Sequence, residues 1–354
     1  MSESAESYGG EQAREIVVDK ARVSAVLGRL VCAFENDEFP YNLDATRVPQ
    51  DHRHMPETLE FGTREHAMFL WNVCYYMRGG IKSDDAVKRL AKLYDTSPEL
   101  FVAAEVREKA PEDIARILKA NGLGFQDTVA RAWVTNADRM HARWDGDPRN
   151  VFDGVTTYEE SLRRVKNDAK GGGFIGFQEK MVSMIIYYLA DEGLIEEFEF
   201  PLPVDIYVLR VSIANELVKF KGYSEDENVF SNELLGVVRG LYLDYAREHN
   251  VNMLRLCDAV WLLSQSICGA QPGNITLEPE GRQNRNGRST KLVPLPININ
   301  NEDQRIAYQR SCGQCPVQET CAWNVPGKIY YVQGELKRRG RRVQFPAPSQ
   351  ETLF

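Results

Sequence analysis

Apolar residues recur along most of the chain at intervals of three and four, the period of a helix with one buried face. In DTVARAWVTNADRMHARW, for example, Val129, Trp133, Met140 and Trp144 fall on one side of such a helix. No segment alternates convincingly between apolar and polar residues as a half-buried strand does, and no internal repeat is visible. The pattern therefore predicts an all-α protein.

Capping residues predict where several of these helices begin and end. SDDAVKRLAKLY opens with a Ser-Asp-Asp cap, and PEDIARILKANGLG starts with proline and ends on glycine. Residues 13–35 are predicted to form one amphipathic helix, and another is predicted to begin at about Val204 in VDIYVLRVSIANELVKF. The other predicted helices lie in REHAMFLWNVCYYM, DTVARAWVTNADRMHARW, YEESLRRVKNDA, FQEKMVSMIIYYLADEGL, FSNELLGVVRGLYLDYAREH, NMLRLCDAVWLLSQSICG and NEDQRIAYQRSC.

The composition is that of an ordinary globular protein. A chain of 354 residues is long enough for two or three domains, and 43% of its residues are hydrophobic. No apolar run has the length that spans a membrane, and MSESAESYGGEQ lacks the apolar centre of a signal peptide. We therefore expect a cytoplasmic protein with no membrane partner.

The net charge of −8 excludes a globally basic protein, so any nucleic-acid binding has to use a local patch. Positive charge is concentrated late in the chain. EGRQNRNGRSTK carries Arg282, Arg285 and Arg288, and GELKRRGRRVQ carries five more basic residues. Each run by itself is as typical of a solvated surface or a disordered tail as of a binding patch.

The stretch SCGQCPVQETC brings Cys312, Cys315 and Cys321 within ten positions. Clustered thiols of this kind indicate a disulfide knot, a zinc site or an iron–sulfur cluster. Disulfides are disfavoured in the cytoplasm, and the total of seven cysteines is odd. Zinc favours paired short spacings, whereas this stretch has one Cys-x2-Cys knuckle and an x5 gap, so the spacing favours a [4Fe–4S] cluster over zinc.

Either metal centre needs a fourth ligand. Cys268 ends the predicted helix LLSQSIC and is the natural candidate. Cys257 is the alternative, although its position inside the same helix is more typical of a buried apolar thiol. Cys32 and Cys74 lie in apolar helices, and we predict that both are core residues.

The glycine-rich turn GGGFIGFQEKM joins two predicted helices. Glycine adopts backbone angles that other residues avoid, and the amides at the start of the next helix can hold a phosphate. Lys180 lies in the first turn of that helix, and Asp205 begins a later one. Taken singly, these are a plain connection, a solvated lysine and a helix cap. Their joint occurrence upstream of the cysteines points to a functional site.

Together these features resemble the helix-hairpin-helix DNA glycosylase superfamily, and within it the iron–sulfur branch typified by endonuclease III. That family carries L-P-G-V-G-x-K, then VDxHxxRV, then a four-cysteine cluster ending Cys-x2-Cys-x5-Cys. FIGFQEK, VDIYVLRV and CGQCPVQETC are similar to these motifs, and the resemblance covers about residues 60–325. Ile175 and Gln178 depart from the hairpin pattern, and 43 residues separate Cys268 from Cys312 where the family has about six.

The resemblance implies an all-α helix-hairpin-helix glycosylase fold, with a six-helix barrel domain and an iron–sulfur cluster domain. In chain order, the implied parts are a disordered start (1–12), a helix and irregular segment packing on the cluster domain (13–60), the six-helix domain (61–203) with its hairpin (171–180), the iron–sulfur domain (204–345) with an inserted loop (269–311), and a tail (346–354).

The resemblance also implies a set of site residues. Lys180 takes the position of the Schiff-base lysine and Asp205 that of the catalytic aspartate. Aromatic residues of the first core helix could line a base pocket, although core packing is their other interpretation. The implied sets are Cys268, Cys312, Cys315 and Cys321 for the cluster, Gly173, Gly176, Gln178, Arg282, Arg285 and Arg288 for DNA, and Trp71, Tyr75, Tyr76 and Met77 for the pocket.

The function implied is that of a monomeric DNA N-glycosylase with AP-lyase activity, which excises a damaged or modified base from double-stranded DNA. A protein of this kind is nucleoid-associated if it is bacterial or archaeal. Two alternatives stay open. One is a glycosidase that acts on RNA or on a free modified nucleoside, and the other is a non-catalytic iron–sulfur protein that binds DNA.

Overall fold

The computed structural model is mainly helical, which confirms the coarse prediction from the sequence. It describes residues 13–44, 47–77, 83–168, 172–224, 227–268 and 300–321, together with the backbone of six short strand segments between 277 and 344. Within these ranges the helices are α1 (Lys20–Glu35), α2 (Arg64–Tyr76), α3 (Ser83–Thr96), α4 (Ala103–Val106), α5 (Pro111–Ala120), α6 (Gln126–Trp144), α7 (Tyr158–Val165), α8 (Glu179–Asp191), α9 (Ile206–Ala214), α10 (Asn232–His249), α11 (Met253–Leu263) and α12 (Glu302–Gln309).

The expectation that the chain contains no strand is wrong. Four pairs of short strands are present in the described residues, three antiparallel and one parallel. The antiparallel pairs are β1 (Glu15–Val18) with β2 (Val218–Lys221), β3 (Leu277–Pro279) with β4 (Leu292–Pro294), and β6 (Tyr330–Val332) with β7 (Glu335–Lys337); β5 (Ile297–Asn298) and β8 (Val343–Gln344) are parallel.

The first two strands shorten two predicted helices. α1 begins at Lys20 because Asp19 caps it, its carboxylate accepting the Arg22 backbone N–H at 3.1 Å. The residues before that cap form β1 and are not helical. The helix predicted from about Val204 ends at Ala214, because the chain turns at Glu216, where φ is 53°. It then enters β2.

The backbone contacts divide the chain into two compact units. The hairpin unit comprises Asp44–Asp205 and Ala246–Asp258, and the cysteine unit comprises Met1–Leu43, Ile206–Tyr245 and Ala259–Phe354. Each unit is therefore assembled from separate stretches of sequence.

The hairpin unit is built around two helices that are buried on every side. Every residue of α2 from His66 to Tyr76 is buried, and so is every residue of α8 from Met181 to Ala190. The two helices pack against each other. A helix that is apolar all round belongs in a core, where each large apolar side chain contributes about 1.5–3 kcal/mol. Lys180 and Gln178 lie at the N-terminal end of α8.

In the cysteine unit, α1 buries one face and exposes the other. Val26, Leu27 and Leu30 are fully buried. Cys32 is exposed, so its predicted place in the core is wrong. It lies on the solvent side of α1, where the Asn36 amide donates to its sulfur at 3.3 Å. Cys74, by contrast, is fully buried. No helix in the described ranges combines the length and the apolar character needed to cross a membrane.

Candidate functional site

The hairpin predicted at residues 171–180 overlaps the connection between α7 and α8. This connection (residues 166–178) is called the hairpin from here on, and two glycines in the left-handed region shape it. Gly173 has φ of 62° and Gly176 has φ of 89°. At Gly173 a Cβ atom would overlap the Lys166 carbonyl oxygen, so that position requires glycine both for its angle and for its space. The Phe174 N–H donates to the Val165 carbonyl at 2.9 Å, closing the hairpin onto the end of α7.

Helix α6 holds the hairpin from one side. The Asn136 amide forms a two-way bond with the Ile175 backbone, donating to its carbonyl at 3.0 Å and accepting its N–H at 2.7 Å. Arg139, one turn further along α6, donates to the Gly173 carbonyl at 2.8 Å. Asn136 is buried, so breaking these bonds would leave its amide without a partner and away from water, which would destabilise the fold. Sequence reasoning missed both residues, because it considered only the apolar face of α6.

Aromatic side chains pack beneath the hairpin. The Trp71 ring lies 4.7 Å from Phe174 and 4.5 Å from Phe177, and the Tyr75 ring lies 6.3 Å from Phe177, all between centroids. All four are buried. Trp71 and Tyr75, predicted as pocket residues, therefore support the hairpin from below in this structure.

The other two predicted pocket residues lie at the C-terminal end of α2. The Tyr76 hydroxyl accepts the Gly124 N–H at 2.9 Å. Met77 caps α2, and its sulfur accepts the hydroxyl of Tyr188 at 3.3 Å. Met77 is therefore the predicted pocket residue that contacts α8 at Tyr188.

Lys180 lies in the first turn of α8 and is half-buried. Just before it, Lys166 and Glu179 form an ion pair at 2.8 Å across the base of the hairpin. Residues four apart on a helix share a face, so Lys180, Met184 and Tyr188 lie in one row along α8. Lys180 heads that row, and Tyr188 lies two turns deeper.

Asp205 lies directly before α9 and is half-buried. Its carboxylate lies within electrostatic range of Tyr188, the residue eight positions after Lys180 on α8. Burial raises the pKa of the Tyr188 hydroxyl well above its ordinary value, and the Cys74 thiol and the carboxylates of Asp205 and Asp84 raise it further. Tyr188 thus has the catalytic aspartate predicted from the sequence within electrostatic range, and sequence reasoning missed it. An aromatic residue in an apolar helix carries no signal that separates it from core.

The cysteine loop (residues 311–321) folds as a series of tight turns. The Cys315 N–H donates to the Cys312 carbonyl at 3.1 Å, and the Cys321 N–H donates to the Val317 carbonyl at 2.9 Å. The Cys321 sulfur donates to the Ala214 carbonyl at the end of α9, at 3.5 Å. Cys268 ends the π-helical segment Ser264–Cys268 that continues α11.

The four predicted ligand thiols act on one another. Burial raises the pKa of the Cys312 thiol well above its usual value, and the other three cysteines raise it further. Burial likewise raises the pKa of Cys268, with Cys315 and Cys321 next. Burial raises the pKa of Cys315 to about 12. Cys257 does not belong to this group, because burial and the carboxylates of Asp258 and Asp191 raise its pKa.

Basic side chains surround the cysteine group. Arg210 lowers the pKa of Cys268 and Arg29 lowers that of Cys315, each partly offsetting the effect of burial. Arg22 anchors the loop, since its guanidinium donates to the Asn215 carbonyl at 2.6 Å and also to the Thr320 carbonyl. Arg22 is a further residue that sequence reasoning missed, because nothing in the sequence relates position 22 to position 320.

The ligands predicted for a metal centre are four cysteine thiols. All seven cysteines are free thiols, which argues against the disulfide knot. Four thiols are the ligand chemistry of a four-cysteine zinc site or a [4Fe–4S] cluster. Among the described residues, no three His, Cys, Asp or Glu side chains converge on one point as ligands of a single ion.

The remaining predicted DNA contacts, Arg282, Arg285 and Arg288, lie outside the described residues. No protein-family model matches the chain, and a search of curated proteins finds no match. The resemblance to the glycosylases therefore depends on the sequence motifs.

Proposed function

We propose that this chain is a DNA N-glycosylase of the helix-hairpin-helix, iron–sulfur type, with lyase activity on the site it creates. The observation that carries the proposal is the hairpin. It contains two left-handed glycines, its backbone is held by hydrogen bonds from α6 at Gly173 and Ile175, and it leads into a buried helix with Lys180 in its first turn. Asp205 supports the proposal, since it acts on the same row of side chains.

The hairpin binds one phosphate of duplex DNA. Backbone amides at a helix N-terminus favour an anion, because they point outward and the helix dipole is positive there. Gly173, Gly176 and Gln178 bring the DNA backbone close to that end of α8. Arg282, Arg285 and Arg288 supply further phosphate contacts, which makes the affinity dependent on salt.

The reaction begins with the target base turned out of the duplex, at a cost of a few kcal/mol. The neutral Lys180 amine attacks C1′; a C1′–Nζ bond forms, and the C1′–N bond breaks with its electron pair leaving on the base. The Asp205 carboxylate stabilises the positive charge that develops on the sugar and takes the proton that the lysine nitrogen loses. The C1′–O4′ bond then breaks, and O4′ takes the proton that Asp205 holds, which leaves a protonated imine between C1′ and Nζ. In the β-elimination that follows, the C2′ proton passes to the Asp205 carboxylate and the 3′ phosphate leaves with the electron pair of the C3′–O bond.

Cys268, Cys312, Cys315 and Cys321 would hold the [4Fe–4S] cluster, with zinc as the alternative. When bound, such a cluster ties four distant thiolates together and fixes the shape of the loop that carries them. The chain's own residues carry out the base excision.

The test is a base-release screen on duplexes that carry many modified bases, read by mass spectrometry. Wild type should release at least one base, and Asp205→Asn should lower that release by at least a hundredfold. Borohydride should trap a covalent DNA adduct that Lys180→Ala loses. The exposed Asp85→Asn and Lys92→Ala on α3 serve as matched controls. Release that survives Asp205→Asn, or an undiminished adduct with Lys180→Ala, would remove those residues from the mechanism.

A further inference from the structure

Arg139 of α6 brings a positive charge to the hairpin. Its guanidinium donates to the Gly173 carbonyl at 2.8 Å, and its side chain is only half-buried. Within the part of the chain that the structure describes, no carboxylate lies within ion-pair distance of it; the adjacent Asp138 pairs with Arg107 at 3.2 Å. A guanidinium has five N–H donors, so Arg139 can bind a further acceptor.

The carboxylates of Asp168 and Glu179, at the two ends of the hairpin, bind other groups. Glu179 pairs with Lys166 at 2.8 Å, and Asp168 accepts the Gly172 N–H at 2.6 Å. Arginine is charged at any physiological pH, because a guanidinium does not lose its proton in that range. The positive charge of Arg139 is therefore left for an anion that comes from outside the chain.

Backbone donors beside Arg139 are also open. In the described ranges, the N–H groups of Gly173, Gly176 and Gln178 have no hydrogen-bond partner. Gly173 and Gly176 are three residues apart, so their N–H groups lie within about 11 Å of each other. The guanidinium at Gly173 and the open amides are therefore close enough to contact one stretch of phosphate backbone.

We propose that Arg139 binds a phosphate of the DNA backbone at the hairpin, while one of its N–H groups keeps the bond to the Gly173 carbonyl. This inference rests on the proposed function, because it takes DNA as the ligand of the hairpin. Backbone amides carry no net charge, so Arg139 supplies the charge-assisted contact that they lack. The same side chain then fixes the hairpin and holds the DNA.

The salt dependence of DNA binding tests this role. Each phosphate of duplex DNA that a protein cation neutralises adds about 0.9 to the steepness with which log affinity falls with log salt concentration. Arg139→Gln removes the charge but keeps an amide that can donate to the Gly173 carbonyl. On an unmodified duplex, we expect it to lower the steepness by about 0.9 and the affinity at low salt about tenfold.

Three further variants serve as comparisons. Arg139→Lys keeps the charge and should keep the steepness of wild type. Arg116→Gln makes the same change as Arg139→Gln at an exposed arginine of α5, which pairs with Asp113 at 2.9 Å, and should bind like wild type. Asn136→Ala loosens the hairpin without changing its charge, so it should lower the affinity by the same factor at every salt concentration.

The other outcomes separate the inference from the function beneath it. If Arg139→Gln loses the same factor of affinity at every salt concentration, as Asn136→Ala should, Arg139 only supports the hairpin and the inference is wrong. It is equally wrong if Arg139→Gln binds like wild type, and in both cases base release by wild type would keep the glycosylase proposal. If Arg139→Gln lowers the steepness but wild type releases no base, the inference stands and the proposed activity falls. If wild type does not bind duplex DNA, both fall together.

Discussion

The hairpin and the cysteine loop are both short irregular segments, but different forces hold them. The hairpin meets hydrogen-bond partners of matching geometry, above all the Asn136 amide against the Ile175 backbone. The cysteine loop gathers buried thiols that raise one another's pKa, with Arg22 anchoring its end. A segment of the first kind is stable through the polypeptide alone. A segment of the second kind reaches its full stability when a metal centre takes up its thiolates.

The largest expected effect is therefore on the cysteine loop. Purified without oxygen, the protein should carry iron and sulfide, and removing them should abolish hydrogen-exchange protection across residues 311–321. Residues 166–168 and 172–178 should keep their protection. Binding energies at structural thiolate sites are on the order of 10 kcal/mol, which is enough to order or release such a segment. If the cysteine loop keeps its hydrogen-exchange protection in metal-free protein, the claim that this loop depends on a metal centre is wrong.

Two cysteines close in sequence provide the matched control for the metal. Cys268→Ala should lose most of the bound metal, because Cys268 is one of the four grouped thiols. Cys257→Ala should keep it, because the neighbours of Cys257 are carboxylates. Metal analysis of the two variants checks this directly. Retention by Cys268→Ala and loss by Cys257→Ala would reverse the assignment of the fourth ligand.

The next largest effect tests the hairpin itself, through two glycines with the same backbone angle. Gly173 and Gly193 both have φ of 62°, but a Cβ at Gly193 would meet open space, whereas one at Gly173 would overlap the Lys166 carbonyl. Gly193→Ala should cost about 1 kcal/mol, the usual penalty for the left-handed region. Gly173→Ala should cost about 3 kcal/mol or more, and it should weaken DNA binding. Urea denaturation measures both, and equal costs would show that the hairpin adapts.

The smallest expected effect concerns the buried carboxyl group of Asp258 in the hairpin unit. Burial, with help from Asp191, raises the pKa of Asp258 to about 7 from 3.8. The folded protein therefore binds more protons than the unfolded one between about pH 4 and pH 7, so this group lowers stability as pH rises through that window.

Asp258→Asn should remove that loss while still accepting the Tyr187 hydroxyl. The variant should be more stable than wild type at pH 8 by about 1 kcal/mol, with the gain shrinking toward pH 4. Denaturant titrations at pH 5 and pH 8 check this, with the exposed Asp85→Asn as the control. A gain that is the same at both pH values would mean that the charge of Asp258 is not responsible.

Local patterns were sufficient to predict most of the helices. Helical spacing and capping residues depend on neighbours within a few positions, and the structure has helices in each of the predicted segments of the hairpin unit. The errors arose where a distant partner decides the conformation. Ile16 falls on the apolar side of the helix predicted over residues 13–35, but it lies in β1 because Phe220 of β2 pairs with it from far along the chain. Cys32 was wrongly predicted to be a core residue because its neighbours in sequence are apolar, although it lies on the solvent side of α1.

The candidate site could be predicted only where chemistry and spacing are unusual. Lys180, Asp205 and the cysteines were selected as candidates in that way. Asn136 and Tyr188 were missed, because an amide and a phenol on a helix do not reveal their partners. Their importance comes from contacts with Ile175 and Met77, which lie far from them in sequence. Such contacts follow from tertiary packing and leave no local pattern.

The pairing of β1 with β2 also sets an order in which the protein can be made. Val18 cannot pair until Val218 has been synthesised, which takes about 10 to 40 s longer at roughly 5–20 residues per second. During this time the ribosome completes Asp44–Asp205, the main segment of the hairpin unit. The first strand, with its apolar Ile16, meanwhile lacks its partner. In a nascent chain the N-terminal segment therefore stays without its strand partner until synthesis passes residue 221.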